Sequence, residues 1–200
     1  MSAECQSFFH SLPAFVQKMG VLYPEIELNL QLGATQQTIS LLLAGELDTA
    51  LVTVKPESDQ LDSTLVFEDE LMVLMHEENP LSELPYLDAG HFADSCLFIH
   101  SYPLESVSVY EHFLKPNKVV PRKVEALPYT ELTLKMIEAN MGLYCVTKWA
   151  LAPFKLSDEL VMKSIGAKGL RRKHYLVVRE EDRNKEHMAN FKSSFLEEFG

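Results

Sequence analysis

The chain has 200 residues, 46% of them apolar and 24% charged, with a formal net charge of −11. That is ordinary globular composition, long enough for one large domain or two smaller lobes, and it excludes dependence on disulfide or metal staples. The acidic balance excludes phosphate-backbone binding by this segment, because that affinity comes from Lys and Arg neutralising phosphates.

Phe8, Leu12, Phe15, Val16 and Met19 recur at helical spacing, and Gly20 and Pro24 follow them, which predicts an amphipathic helix over 7–19. Ile26, Leu28, Leu30 and Leu32 alternate with polar residues as a strand should, up to Gly33. A second helix is expected over 36–44, with Ile39, Leu42 and Leu43 on its buried face and Gly45 as its left-handed stop, followed by a short apolar strand over 49–54. Strand, helix and strand in this order make a βαβ unit and imply a parallel sheet.

Residues 65–67 and 71–75 read as two further strands, and the polar run Glu77-Glu78-Asn79-Pro80 marks a boundary between lobes. The alternation then repeats: strand 96–99, helix 107–114, strand 119–124, helix 129–140, strand 143–146 and strand 160–165. Lys168, Arg171, Arg172 and Lys173 lie between Gly166, Gly169 and the acidic Glu180-Glu181-Asp182, and read as a solvated hinge in preference to a nucleic-acid patch. A strand over 175–178 and a C-terminal helix with Met188, Phe191, Phe195 and Leu196 on one face complete the chain.

No run of about 18 apolar residues occurs and Glu4 has no basic stretch before it, so neither a membrane span nor a signal peptide is expected. Cys5, Cys96 and Cys145 are odd in number, widely spaced and without a CxxC pair, which suits a reducing cytoplasm and not a zinc site. The seven histidines show neither HExxH nor finger spacing and read as surface or boundary residues. Neither GxGxxG nor GxxxxGK[ST] is present, so no metal, nucleotide or other cofactor is expected. Cys96 and His100 would face one side of a single strand, but no third orienting group or oxyanion-hole motif accompanies them, so no catalytic residue is expected.

The segment from Gly33 through Gly45-Glu46-Leu47-Asp48-Thr49-Ala50-Leu51-Val52 resembles the signature of LysR-type transcriptional regulators: a helix ending in Gly, then Leu-Asp before a short apolar strand. Tyr23-Pro24, Leu71-Met72-Val73 with Asn79-Pro80-Leu81, and Met141-Gly142-Leu143 support it in the family's order. A closer likeness is to the homocysteine-responsive regulators of methionine biosynthesis, through Glu4-Cys5, Glu131-Leu132-Thr133, Trp149 and Lys173-His174-Tyr175 with Arg179, Glu181 and Asp182. Two departures stand out. Only Met1-Ser2-Ala3-Glu4 precede the first helix, where the family has a full strand, and Thr147 stands where it often has Pro.

The resemblance implies an α/β, two-lobed periplasmic-binding-protein-like (type 2) fold with a cleft between lobes. Residues 3–75 with 175–200 would form lobe I and 76–174 lobe II. It further implies a small effector such as homocysteine, a homodimer or tetramer with the first helix as a contact, and DNA binding only through an N-terminal winged helix-turn-helix absent from this sequence. A transport solute-binding protein of the same fold is the alternative, because fold does not fix function.

In α/β lobes, strand ends and helix N-termini leave backbone N–H groups that favour an anionic ligand. The groups expected there are Gln6, Ser7, Thr35, Gln36, Thr53, His100, Ser101, Tyr102, Tyr129, Thr130 and Glu131. Helix capping accounts equally for Ser7, Thr35 and Thr130, a turn before Pro103 for Tyr102, and core packing for Trp149.

Overall fold

Two long strands carry the chain between two units. β3 (Leu61–His76) leaves a first unit of residues 1–69 and 172–200 for a second of residues 70–171, and β9 (Leu170–Arg179) returns. The structure, a computed structural model, describes residues 1–32 and 37–200, the side chains of Gln6 and Ser7 excepted. The crossings fall after Asp69 and Arg171, ahead of the expected 75 and 174. The two strands expected over 65–67 and 71–75 are one, because the polar run Glu68-Asp69-Glu70 does not break β3.

Asp69 remains within that strand because its charge is matched. Arg172 donates to both carboxylate oxygens, from Nε at 2.9 Å and Nη2 at 2.6 Å, and His174 Nε2 lies 2.9 Å from Oδ2. The His174 ring stacks on Phe67 with centroids 4.2 Å apart. Arg172 is therefore not part of a solvated hinge, and His174 is fully buried, not a surface or boundary residue. Lys173 does stay at the surface, 3.5 Å from Glu68. Burial pushes the Asp69 carboxyl up, but the hydrogen bonds from His174 and Arg172 outweigh it and hold the group well below the usual carboxylate range.

In the first unit, β1 (Ser2–Ala3) pairs in parallel with β2 (Thr49–Val52), β2 is antiparallel to β9, and β3 lies beyond β9. The first helical stretch is in two pieces, a 3-10 turn over Gln6–His10 and α1 (Leu12–Leu22). Pro13, with no N–H to donate, suits the first turn of a new helix. The alternating residues 26–31 form no strand. Gln31 N–H donates to the Met1 carbonyl and the Met1 amine to the Asn29 carbonyl, both at 2.9 Å, yet β1 offers only two residues of edge.

α2 (Thr38–Leu43) ends at Gly45, whose φ of 76° is the left-handed stop the sequence predicts; Leu43, expected inside, is exposed. Against this sheet pack α1 and α5 (Glu186–Phe199), joined by aromatic contacts. Phe15 meets Phe191 and Phe195 edge-on at 5.8 and 5.4 Å, and Phe8 approaches Phe195 and Phe199.

In the second unit, β5 (Cys96–Ile99) lies between parallel neighbours β6 (Lys123–Ala126) and β7 (Leu143–Val146). The second half of β3 runs antiparallel to β7 and to β8 (Leu160–Ile165), and β4 (Tyr86–Leu87) pairs with β8. Alternate strand residues feed two cores. Val73, Met75, Leu97, Ile99 and Leu143 face one way; Leu74, Phe98, Tyr144 and Val146 face the other with Leu134 and Ile137 of α3 (Thr130–Glu138). Trp149, in the short α4 (Lys148–Leu151), packs against this second cluster.

The helix expected over 107–114 runs over 108–114, with Tyr110–Leu114 in π geometry, after a 3-10 turn at Leu104–Ser106. The strand expected over 119–124 starts at Lys123, past Pro121, which cannot donate to a ladder. α3 stops at Glu138 ahead of Asn140, whose φ is 54°. Gly142 has a steric reason to be glycine: an added Cβ would collide with the Cys96 carbonyl oxygen and the edge of Phe98.

Phe195→Ala removes the ring shared by these contacts and is expected to cost about 3–5 kcal/mol in urea unfolding. Asp69→Asn leaves Arg172 without its counter-charge and is expected to cost about 3–5 kcal/mol at pH 7. The folded pKa of Asp69 is depressed, so its contribution is complete above the unfolded value of about 3.9 and is lost as pH falls through the folded value. The stability gap between wild type and D69N, measured at pH 7 and pH 3, should therefore narrow at the lower pH.

Candidate functional site

Parallel pairing brings the carboxyl ends of neighbouring strands to one edge of a sheet, where the following loops and helix starts meet. In the second unit Ile99 is in register with Ala126, and Leu127 N–H donates to the Ile99 carbonyl at 2.8 Å. His100, Ser101 and Tyr102 thus leave β5 beside the stretch that leads from β6 into Tyr129, Thr130 and Glu131. The Tyr102 hydroxyl donates to the Val124 carbonyl at 2.9 Å and ties the connection after β5 to strand β6. These six expected residues gather at adjoining strand ends.

Their environments differ. His100 is half-buried, and burial holds its pKa below the ordinary histidine value, so the ring is neutral at pH 7 and offers one donor and one acceptor. Tyr129 is exposed, at the N-cap of α3 without a side-chain cap bond, and Thr130 is the first helical residue. Capping thus does not explain Thr130. Glu131 is exposed in the first turn of α3.

β7, the third parallel strand, delivers Thr147 to the same edge. Its side chain is buried, and its hydroxyl has no hydrogen-bond partner among the described residues. The sequence marked Thr147 only as a departure from a usual proline. What makes it a candidate is its place after a third parallel strand, which no local pattern reveals.

In the first unit β1 and β2 end side by side, with Ala3 opposite Leu51. Glu4 follows β1 and Thr53 follows β2. The Thr53 N–H and hydroxyl donate to Glu4 Oε2 at 2.8 and 3.0 Å, and the Thr38 hydroxyl donates to Oε1 at 3.4 Å. The expectation of a vacant backbone N–H is corrected here, because a carboxylate of the chain already accepts it. Glu4 was absent from the expected site residues, although its adjacency to Cys5 had marked it. The backbone at Gln6 and Ser7 forms the 3-10 turn that follows, whereas Thr35 and Gln36 lie outside the described residues.

Chemistry beyond binding finds no assembled machinery among the described residues. Burial pushes the Cys96 thiol up, away from the thiolate a nucleophile needs. No group of three or more His, Cys, Asp or Glu is placed to hold a metal ion, and no helix is long and apolar enough to cross a membrane, again among the described residues.

The comparisons with known proteins agree with this architecture. The chain is 25% identical over 181 residues to the HTH-type transcriptional regulator MetR of Escherichia coli (strain K12), which covers 90% of this chain and 56% of that protein. The MetR of Salmonella typhimurium is 25% identical over 183 residues, 91% of this chain and 57% of its own length. The chain therefore spans little more than half the length of these relatives. Among solved structures, the regulatory domain of NMB2055 (MetR), a LysR family regulator from N. meningitidis, superposes with a TM-score of 0.91 at 22% identity, covering 98% of this chain and 91% of that one. The BenM effector binding domain with its effector benzoate superposes at 0.76 with 18% identity, over 98% and 89% of the two chains. The fold is that of LysR regulatory domains, with two periplasmic-binding-protein-like lobes. The family model for the LysR substrate binding domain matches residues 3–200, and the chain belongs to that family.

Proposed function

We propose that this chain is the effector-sensing part of a cytoplasmic LysR-type transcriptional regulator and takes a small amino-acid-like molecule, with homocysteine the first candidate. The observation that carries this is the gathering of His100–Tyr102, Tyr129–Glu131 and Thr147 at three parallel strand ends of the second unit; within the first unit, Glu4 and Thr53 stand at two such ends of their own. Gln6, Ser7, Thr35 and Gln36 belong to the same proposed site by their positions in the sequence. At the second unit's strand ends, the hydroxyls and an uncharged imidazole suit a ligand carboxylate held by hydrogen bonds.

Homocysteine is favoured by the likeness to methionine-biosynthesis regulators in Glu4-Cys5, Glu131-Leu132-Thr133 and Lys173-His174-Tyr175. DNA binding would fall to a winged helix-turn-helix in the full-length protein, acting as a dimer or tetramer. The exposed Val21 and Leu22 at the end of α1 are a suitable apolar contact for such an assembly. The effector would act by preferring one arrangement of the assembled regulator, because a ligand shifts an equilibrium only by its differential affinity. A transport solute-binding role is not favoured, since the relatives matched over nine-tenths of the chain are transcriptional regulators.

Titration calorimetry with L-homocysteine and L-methionine tests the ligand. Binding of homocysteine is expected, and a folded sample giving no heat with it removes homocysteine while leaving the family assignment intact. His100→Ala should weaken the interaction by about 1.5–3 kcal/mol, the range for a hydrogen bond to a charged group. An unchanged Kd in both His100→Ala and Thr147→Val would take the β5 and β7 ends out of the site.

A further inference from the structure

We propose that Glu4 is the ammonium-recognising residue of the effector site, so that the ligands it selects carry a primary amine. The assignment rests on the effector-sensing function proposed above and narrows its ligand class.

Glu4 stands where an anionic ligand would otherwise be taken. It follows the carboxyl end of β1, and its carboxylate occupies the backbone N–H of Thr53 at the end of β2. A ligand carboxylate brought to that N–H would compete with an anchored anion and be repelled by it. The net charge of −11 adds a field of the same sign.

The charge on Glu4 is held but not neutralised. Its three donors among the described residues, the Thr53 N–H, the Thr53 hydroxyl and the Thr38 hydroxyl, are all uncharged. Among the described residues no Lys, Arg or His forms an ion pair with it. The cations of the returning strand, Arg172 and His174, are both engaged by Asp69. A carboxylate offers about four lone-pair directions, so three donors leave room for a further N–H. Glu4 is also only half-buried. A fixed, unneutralised carboxylate at the strand ends fits an ammonium group by a charge-assisted hydrogen bond.

The test pairs amino acids with their des-amino counterparts. Calorimetry on wild type and Glu4→Gln would use L-homocysteine, L-methionine, and the mercaptobutanoate and methylthiobutanoate that lack their amines. Gln keeps an acceptor oxygen for Thr53 while removing the charge. The wild type should bind an amino acid at least about tenfold more tightly than its des-amino partner, and E4Q should abolish that preference while binding the des-amino acid as well as before. Equal affinity for the two members of a pair in the wild type, or a preference unchanged in folded E4Q, overturns the assignment to Glu4 while the effector-sensing function stands. Binding of neither pair by folded wild-type protein overturns the amine-bearing ligand class and the homocysteine candidate together. The wild-type comparison decides the ligand class even if E4Q does not fold.

Discussion

A buried carboxylate sits where the chain passes between its two units. Asp69 is the last residue of the outgoing strand's first-unit segment, and Arg172 is the first residue to return. An aspartate inside a strand would ordinarily cost several kcal/mol of desolvation. The two bonds from Arg172 and the contact with His174 offset that cost, and they join residues 103 and 105 positions apart in sequence. The pair fixes β3 and β9 side by side at the point from which each serves both units. The pairing of β2 with β9 and of β7 with β3 builds outward from these two strands.

Parallel pairing then decides where the polar groups collect. In each unit the strands nearest the edge run in the same direction: β1 with β2, and β5 with β6 and β7. Their carboxyl ends deliver residues from distant parts of the sequence to one side of a sheet. Thr147 joins the connections after β5 and β6 for that reason alone. Its buried hydroxyl, without a partner among the described residues, is costly, which is the condition under which a ligand atom gains most by supplying the missing bond.

Much of the fold was legible because burial on both faces leaves uninterrupted apolar runs. The strands at Cys96–Ile99 and Leu143–Val146 have the bounds their apolar runs suggest, and Leu160–Ile165 has its expected bounds although Lys163 and Ser164 interrupt the run. The alternation of residues 26–32 was equally clear and misled, because a strand needs a partner edge as well as a pattern. Glu68-Asp69-Glu70 looked like a break between strands, since nothing nearby announces Arg172. Of the candidate site, the positions after β5 and β6 were legible as adjoining strand ends from strand order alone. Glu4 was missed as a site residue because its role depends on Thr53, 49 residues away, and on the parallel register that brings them together.

Two acidic residues of the first unit show how environment separates structural from binding roles. Asp69 is deeply buried, is met by an arginine fork and a histidine, and its charge is consumed in holding two strands together. Glu4 is partly exposed and is held by neutral donors that orient it without cancelling its charge. Removing the charge at Asp69 strands a buried cation, whereas a glutamine at position 4 strands no charge: its amide oxygen can still accept from Thr53, and only the long contact with Thr38 is given up. The long-range energetics of the fold thus depend on one carboxylate and leave the other electrostatically available. That division permits a sensor to present a fixed negative charge to a ligand without making the stability of the sheet depend on the ligand's arrival.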